Sequence, residues 1–113
     1  MSKMEGEQTL MRIFIGENDR WHKQPLYEAL LELFRTEGLA GATVLKGAAG
    51  FGASSVTHTD KILRLSNDLP VIIEVVDSQE KIDAVLPKID GMFSGGMITM
   101  EKAHVIYYRG ERK

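Results

Sequence analysis

The run Val71-Ile72-Ile73-Glu74-Val75-Val76, opened by Pro70, is almost wholly β-branched and carries a single charge. It reads as a buried interior strand. An interior strand needs a neighbour on each side and cover on its faces, so the rest of the chain must supply both. Thr9 to Gly16 (TLMRIFIG) is a second central strand. Met11, Ile13 and Ile15 point one way, Leu10, Arg12 and Phe14 the other. One face is fully apolar and the other mostly so. Two further strands are weaker. Ala42 to Leu45 is short, and Met97 to Tyr108 alternates imperfectly, with Glu101 and Lys102 suggesting a bulge or an exposed edge.

Cover comes from two helices. Pro25 opens the first at a position where its missing N–H costs nothing. Leu26, Leu30, Leu33 and Phe34 form its apolar stripe, widened by Tyr27 and Leu31, and Gly38 is the expected C′ residue. In the second, Ile82, Val85, Leu86 and Ile89 form the stripe. Asp77-x-x-Glu80 has capping-box spacing, Gly91 closes the helix, and Pro87 is expected to kink or shorten it.

The order is β-α-β-β-α-β. Right-handed crossovers put the first and third strands in the centre and the second and fourth outside. The expected fold is thus an α+β, ferredoxin-like sandwich: a four-stranded antiparallel sheet with two helices on one face. The other face is left open, with Leu10, Phe14 and residues of matching parity on the third strand, and a patch of that size calls for a partner. Self-association is the simplest answer. With 113 residues the chain makes one domain, expected over 9–113, after a flexible N-terminus at 1–8.

Composition narrows the function classes. A net charge of −2 gives no electrostatic reason for nucleic acid or an anionic membrane. The absence of cysteine removes disulfides, thiolate chemistry and zinc-ribbon sites and is compatible with a cytoplasmic home. No run approaches the roughly 20 apolar residues that span a bilayer, so direct membrane insertion is not expected.

Chemistry, if any, belongs to the glycines. Lys46 is followed by Gly47, Gly50, Phe51 and Gly52, and then by the polar tract Ser54, Ser55, Thr57, His58, Thr59. Backbone amides here could cradle phosphate, with Lys46 adding charge. A β-bulge with a hairpin-like excursion fits equally well. The segment is neither a P-loop nor a dinucleotide fingerprint, because no GxxxxGK[ST] occurs and no helix follows the glycines directly. KGAAGFG echoes part of an RNA-recognition motif, yet lacks its aromatic pair and lies at the end of the second strand. Ser94-Gly95-Gly96 makes a second turn, better read alone as a plain connection. The two turns gain weight together, since they lie on opposite edges of one sheet and could meet across a subunit interface. Residues 53–61 offer few apolar anchors and are expected to order only with ligand.

His22, His58 and His104 show no HxH or HxxxH spacing and no acidic companions, so no metal site is expected. Ser54 and Ser55 have no base at motif spacing, and no catalytic constellation is present. Trp21 is expected to pack against the sheet edge, with base stacking as the other use of its ring.

Residues 10–109 resemble the small PII-like proteins known as domain of unknown function one-hundred-ninety. The resemblance lies in Lys23-Gln24-Pro25-Leu26-Tyr27, Gly41 to Gly47, Gly50-Phe51-Gly52, His58-Thr59, Leu69 to Asp77 and Leu86-Pro87. More widely the chain is similar to PII signal-transduction proteins, in which a loop base, a glycine turn and a basic C-terminal strand surround an adenine nucleotide between subunits of a trimer. The resemblance therefore implies nucleotide-binding roles for Lys46, Gly47, Gly50, Phe51 and Gly52, for Gly95, Gly96 and Met97, and for Arg109. Ala53-Ser54-Ser55 and Tyr107 stand where PII proteins carry more phosphate-binding charge, which favours AMP or ADP over ATP. The implied protein is a cytoplasmic homotrimer that regulates a partner, such as a membrane transporter or channel, without catalysis or a required cofactor. The alternative on the same fold is a trimeric, divalent-metal-binding ion-tolerance protein, for which the three histidines are the nitrogen ligands available.

Overall fold

The computed structural model of the chain describes residues 4–51 and 69–110. Its strands are β1 (Gly6–Gly16), β2 (Arg20–Trp21), β3 (Gln24–Pro25), β4 (Thr43–Lys46), β5 (Pro70–Asp77) and β6 (Met97–Val105). Helix α1 spans Leu26–Thr36 and α2 spans Gln79–Asp90. The main sheet runs β4-β5-β1-β6, antiparallel throughout, and β2 pairs with β3 in a small hairpin. This is the expected ferredoxin-like arrangement, with the first and third long strands in the centre.

Strand parity decides which side is the core. Met11, Ile13 and Ile15 of β1 and Val71, Ile73 and Val75 of β5 are buried, and they pack with Leu26, Leu30 and Phe34 of α1 and Ile82, Val85 and Ile89 of α2. At about 1.5–3 kcal/mol for each large apolar side chain, this cluster is the main source of stability. The opposite parity, Leu10, Arg12 and Phe14 with Ile72, Glu74 and Val76, is only half-buried. Both helices therefore lie on one face and the other is open.

Helix ends follow from local chemistry. Beyond α1, Gly38 has φ 80°, its N–H donates to the Arg35 carbonyl, and the Leu39 N–H donates to Phe34. That is a Schellman closure, with Leu39 turned against the core. The cap of α2 differs from the expected one. Ser78 is the N-cap and accepts from the Lys81 N–H at 3.2 Å. Asp77 is instead the buried last residue of β5. Its two carboxylate oxygens accept the Ala40 and Ser78 amides at 2.8 and 2.7 Å, tying the α1–β4 connection to the sheet. Pro87 does not shorten α2, which continues to Asp90.

Two strand bounds also shift. β1 begins at Gly6, not Thr9, because Gly6, Glu7 and Gln8 pair with Val105, His104 and Ala103. Met4 is buried as well, and Gly6 to Gln8, within the segment expected to be flexible, are strand. β6 stops at Val105, where its partner strand runs out, and the register holds without a bulge past Glu101 and Lys102. The second alternative for these two residues, an exposed edge, is the one observed.

Candidate functional site

The sheet has two ends, and the candidate residues divide between them. Lys46, the last residue of β4, lies opposite Val71, which in turn faces Ile15 of β1. Met97, the first residue of β6, lies opposite Phe14. The loop base and the glycine turn thus share one end of the sheet but occupy opposite edges. Three strand spacings separate them, about 14 Å. Arg109 is elsewhere. It follows Tyr108, whose N–H donates to Glu5 and whose hydroxyl reaches the Ala40 carbonyl. The length of β6, from Met97 to Val105, puts that end about 27 Å away. One chain brings Lys46, Gly47, Gly50 and Phe51 together, brings Gly95, Gly96 and Met97 together, and does not join the two groups. Gly52, like residues 53–61 and His58, lies outside the described residues.

At the loop base, the Lys46 ammonium is held 2.7 Å from a Glu17 carboxylate oxygen. This hydrogen bond, together with the charge of Glu17, raises the lysine pKa above its ordinary value. Glu17 is anchored by its own N–H, which donates to the Leu69 carbonyl at 2.8 Å. The Gly47 N–H donates to the Pro70 carbonyl at 2.7 Å. A Cβ on Gly47 would come within 2.8 Å of the Pro70 ring, and Gly50 has φ 143° beside the same ring. These glycines let the chain leave β4 pressed against the start of β5. Phe51 beyond them is exposed.

At the turn, Gly96 has φ 134°, and a Cβ there would land on the Phe14 carbonyl oxygen and the Phe93 ring. Gly95 faces open space. The connection is therefore shaped by Gly96 alone. Arg109 stacks its guanidinium 4.4 Å over the Tyr107 ring, and both are exposed.

Between the two edges, on the open face, Leu45, Ile72, Phe14 and Met97 form one apolar row across all four strands. Leu45 is 44% exposed and Met97 52%. In the middle of the same face the Arg12 guanidinium donates to Glu74 at 2.9 Å and to Glu101 at 2.6 Å, which raises its pKa further.

Sequence reasoning did not single out Glu17 or Pro70 as parts of the loop base. Neither carries a local signal, since their role comes from the pairing of β4 with β5. Trp21 packs against the core, with His22 edge-on at 4.2 Å. His22 sits in the β2–β3 turn and His104 near the far end of β6, so those two do not converge. Among the described residues no group of three or more His, Cys, Asp or Glu is placed to hold a metal ion, and no helix is long and apolar enough to cross a membrane. A surface groove of about 560 Å³ between α1 and the β4 connection, bordered by Glu28, Leu31, Arg35 and Leu39, contains none of the candidate residues.

Residues 8–105 match the family DUF190, described as "Uncharacterized ACR, COG1993". A UPF0166 protein of Aquifex aeolicus (strain VF5) is 40% identical over 98 residues, covering 87% of this chain and 92% of the relative. A UPF0166 protein of Methanocaldococcus jannaschii is 40% identical over 103 residues, covering 90% and 93%. Among solved structures, CPII from Thiomonas intermedia K12, a nitrogen regulatory PII-like protein bound to ADP, AMP and bicarbonate, superposes with a TM-score of 0.60 at 14% identity, over 88% of this chain and 94% of that one. A protein from Thermus thermophilus described as PII-like and signaling gives 0.61 at 16% identity, over 89% and 91%. At such identities the likeness is one of fold.

Proposed function

Because the chain belongs to the DUF190 family, we propose that it is a PII-like regulatory protein that binds an adenine nucleotide between the subunits of a homotrimer. The observation that carries this reading is the division of the candidate residues. Lys46, Gly47 and Gly50 on one sheet edge and Gly95, Gly96 and Met97 on the other lie too far apart to hold one ligand within a single chain. A second copy, seated against the open face so that its glycine turn meets this loop base, would complete the site. The exposed apolar row between them favours such association, because burying it returns hydrophobic free energy. ADP and AMP in a neighbour of the same fold agree with the ligand class. The low cation count favours AMP or ADP over ATP, since Lys46 is already paired with Glu17 and Arg109 lies at the other end of the sheet.

The role is binding and relay, and the nucleotide is an effector. A transporter or channel as the regulated partner, and the cytoplasm as its place of action, complete the proposal. Thermal melting of the full chain with AMP, ADP, ATP and, as a control, zinc and copper salts tests it. A ligand that prefers the native state raises the melting temperature by mass action. Stabilisation by AMP or ADP is expected. Stabilisation by metal alone, or by nothing, overturns the nucleotide reading.

A further inference from the structure

Two polar groups that the loop base could offer to an anion are engaged within the chain. The Gly47 N–H is bonded to Pro70, and the Lys46 ammonium is bonded to Glu17 at 2.7 Å. The two halves of the ion pair differ in access. The Lys46 side chain is 57% exposed and that of Glu17 27%. An incoming phosphate can therefore reach the ammonium, but meets a carboxylate already seated on it, carried by a residue whose backbone N–H is bonded to the Leu69 carbonyl just before β5. Resting on the nucleotide reading of this site, we propose that Glu17 is an internal competitor for the anion, a latch that a phosphate must displace from Lys46.

The consequence is a selection by charge. A carboxylate and a singly charged small anion are near equals at an ammonium, so exchanging one for the other gains little. A phosphomonoester or terminal diphosphate oxygen brings close to two charges and several acceptors, and can take the lysine from Glu17. Once displaced, the carboxylate faces the ligand as a like charge, so every bound phosphate bears the cost of its presence. Glu17 thereby sets the affinity without contributing a contact.

The test is calorimetric titration of the full-length protein with AMP and, separately, with inorganic pyrophosphate, on the wild type, Glu17→Gln, Glu17→Asp, Lys46→Met and the Glu17→Gln/Lys46→Met double variant. Glu17→Asp keeps the charge but shortens its reach by one methylene, which guards against a misfolded Gln variant. Circular dichroism melts should stay within a few degrees of one another, because an ion pair whose lysine is largely in solvent contributes little to stability. The latch predicts binding about fivefold tighter for Glu17→Gln, with a smaller gain for Glu17→Asp. It also predicts weaker binding for Lys46→Met, and a clearly smaller gain from Glu17→Gln in the double variant, where only the like-charge cost is left to relieve. If AMP binds and depends on Lys46 while both Glu17 variants match the wild type, the latch is wrong and the nucleotide reading stands. If Glu17→Gln helps equally with and without Lys46, simple repulsion explains it and the latch is again wrong. If pyrophosphate follows the predicted pattern but AMP binds no variant, the latch stands and the nucleotide reading falls. Failure of both anions with every variant overturns both.

Discussion

A methyl group added at Gly95 would meet nothing within 4 Å, while one at Gly96 would strike the Phe14 carbonyl oxygen on the central strand β1. Gly96→Ala is also strained by its positive φ. It should lower unfolding free energy by about 2–4 kcal/mol, against less than about 0.5 kcal/mol for Gly95→Ala. Urea titrations of both at one protein concentration give the comparison, and equal midpoints would refute the packing argument. Asp77 offers a second contrast. Its oxygens satisfy two backbone amides, so Asp77→Ala leaves the Ala40 and Ser78 N–H groups short of partners. A loss of about 2–3 kcal/mol is expected, visible in the same titration. Ser78→Ala removes only the helix cap and should cost about 1 kcal/mol.

At the level of elements, α1 is where sequence and structure agree most closely. A continuous apolar stripe and glycine after its end act locally, so they can be read without knowing the fold. Pro25 stands one residue before the helix, as its extended N-cap and the end of β3. Gly38→Ala should cost about 1 kcal/mol, measured by the same denaturation, because that residue closes the helix at φ 80°. The parity of β1 was legible for a similar reason, since Met11, Ile13 and Ile15 alternate with Arg12, whereas β5 read only as a buried run. What escaped the sequence depends on distant partners. Gly6 to Gln8 have no apolar period and become strand only because β6 lies beside them. Ile106 to Tyr108 look like strand and are not, because β1 pairs no further than Gly6. The hairpin of Arg20–Trp21 with Gln24–Pro25 is too short to show any period. The site was legible in part. Its glycines announce themselves, but the Glu17–Lys46 pair exists only after β1, β4 and β5 have been brought to the same end of the sheet.

For the whole molecule the measurable quantity is mass. The proposed trimer should scatter light as three times the 12.6 kDa chain, independent of dilution over the micromolar range. Leu45→Glu and Met97→Glu place charge at the two exposed ends of the apolar row. Together they should shift the mass to that of one chain and abolish nucleotide binding, while each folded monomer keeps its far-ultraviolet dichroism. A wild-type monomer at every concentration would remove the reason for an intersubunit site.

The position of β1 also has a consequence in time. It is made before both of its neighbours in the sheet, β5 and β6, and the pairing of Gly6 with Val105 needs nearly the last described residue. At about 5–20 residues added per second, β1 waits on the order of 5–20 s of synthesis before its second neighbour exists. Throughout that interval Met11, Ile13 and Ile15 have no completed sheet to enter, and α1 and β5 alone give the core strand only part of its cover. Attachment to the ribosome up to Val105 is thus the period in which a chaperone that shields apolar segments has most to do for this protein.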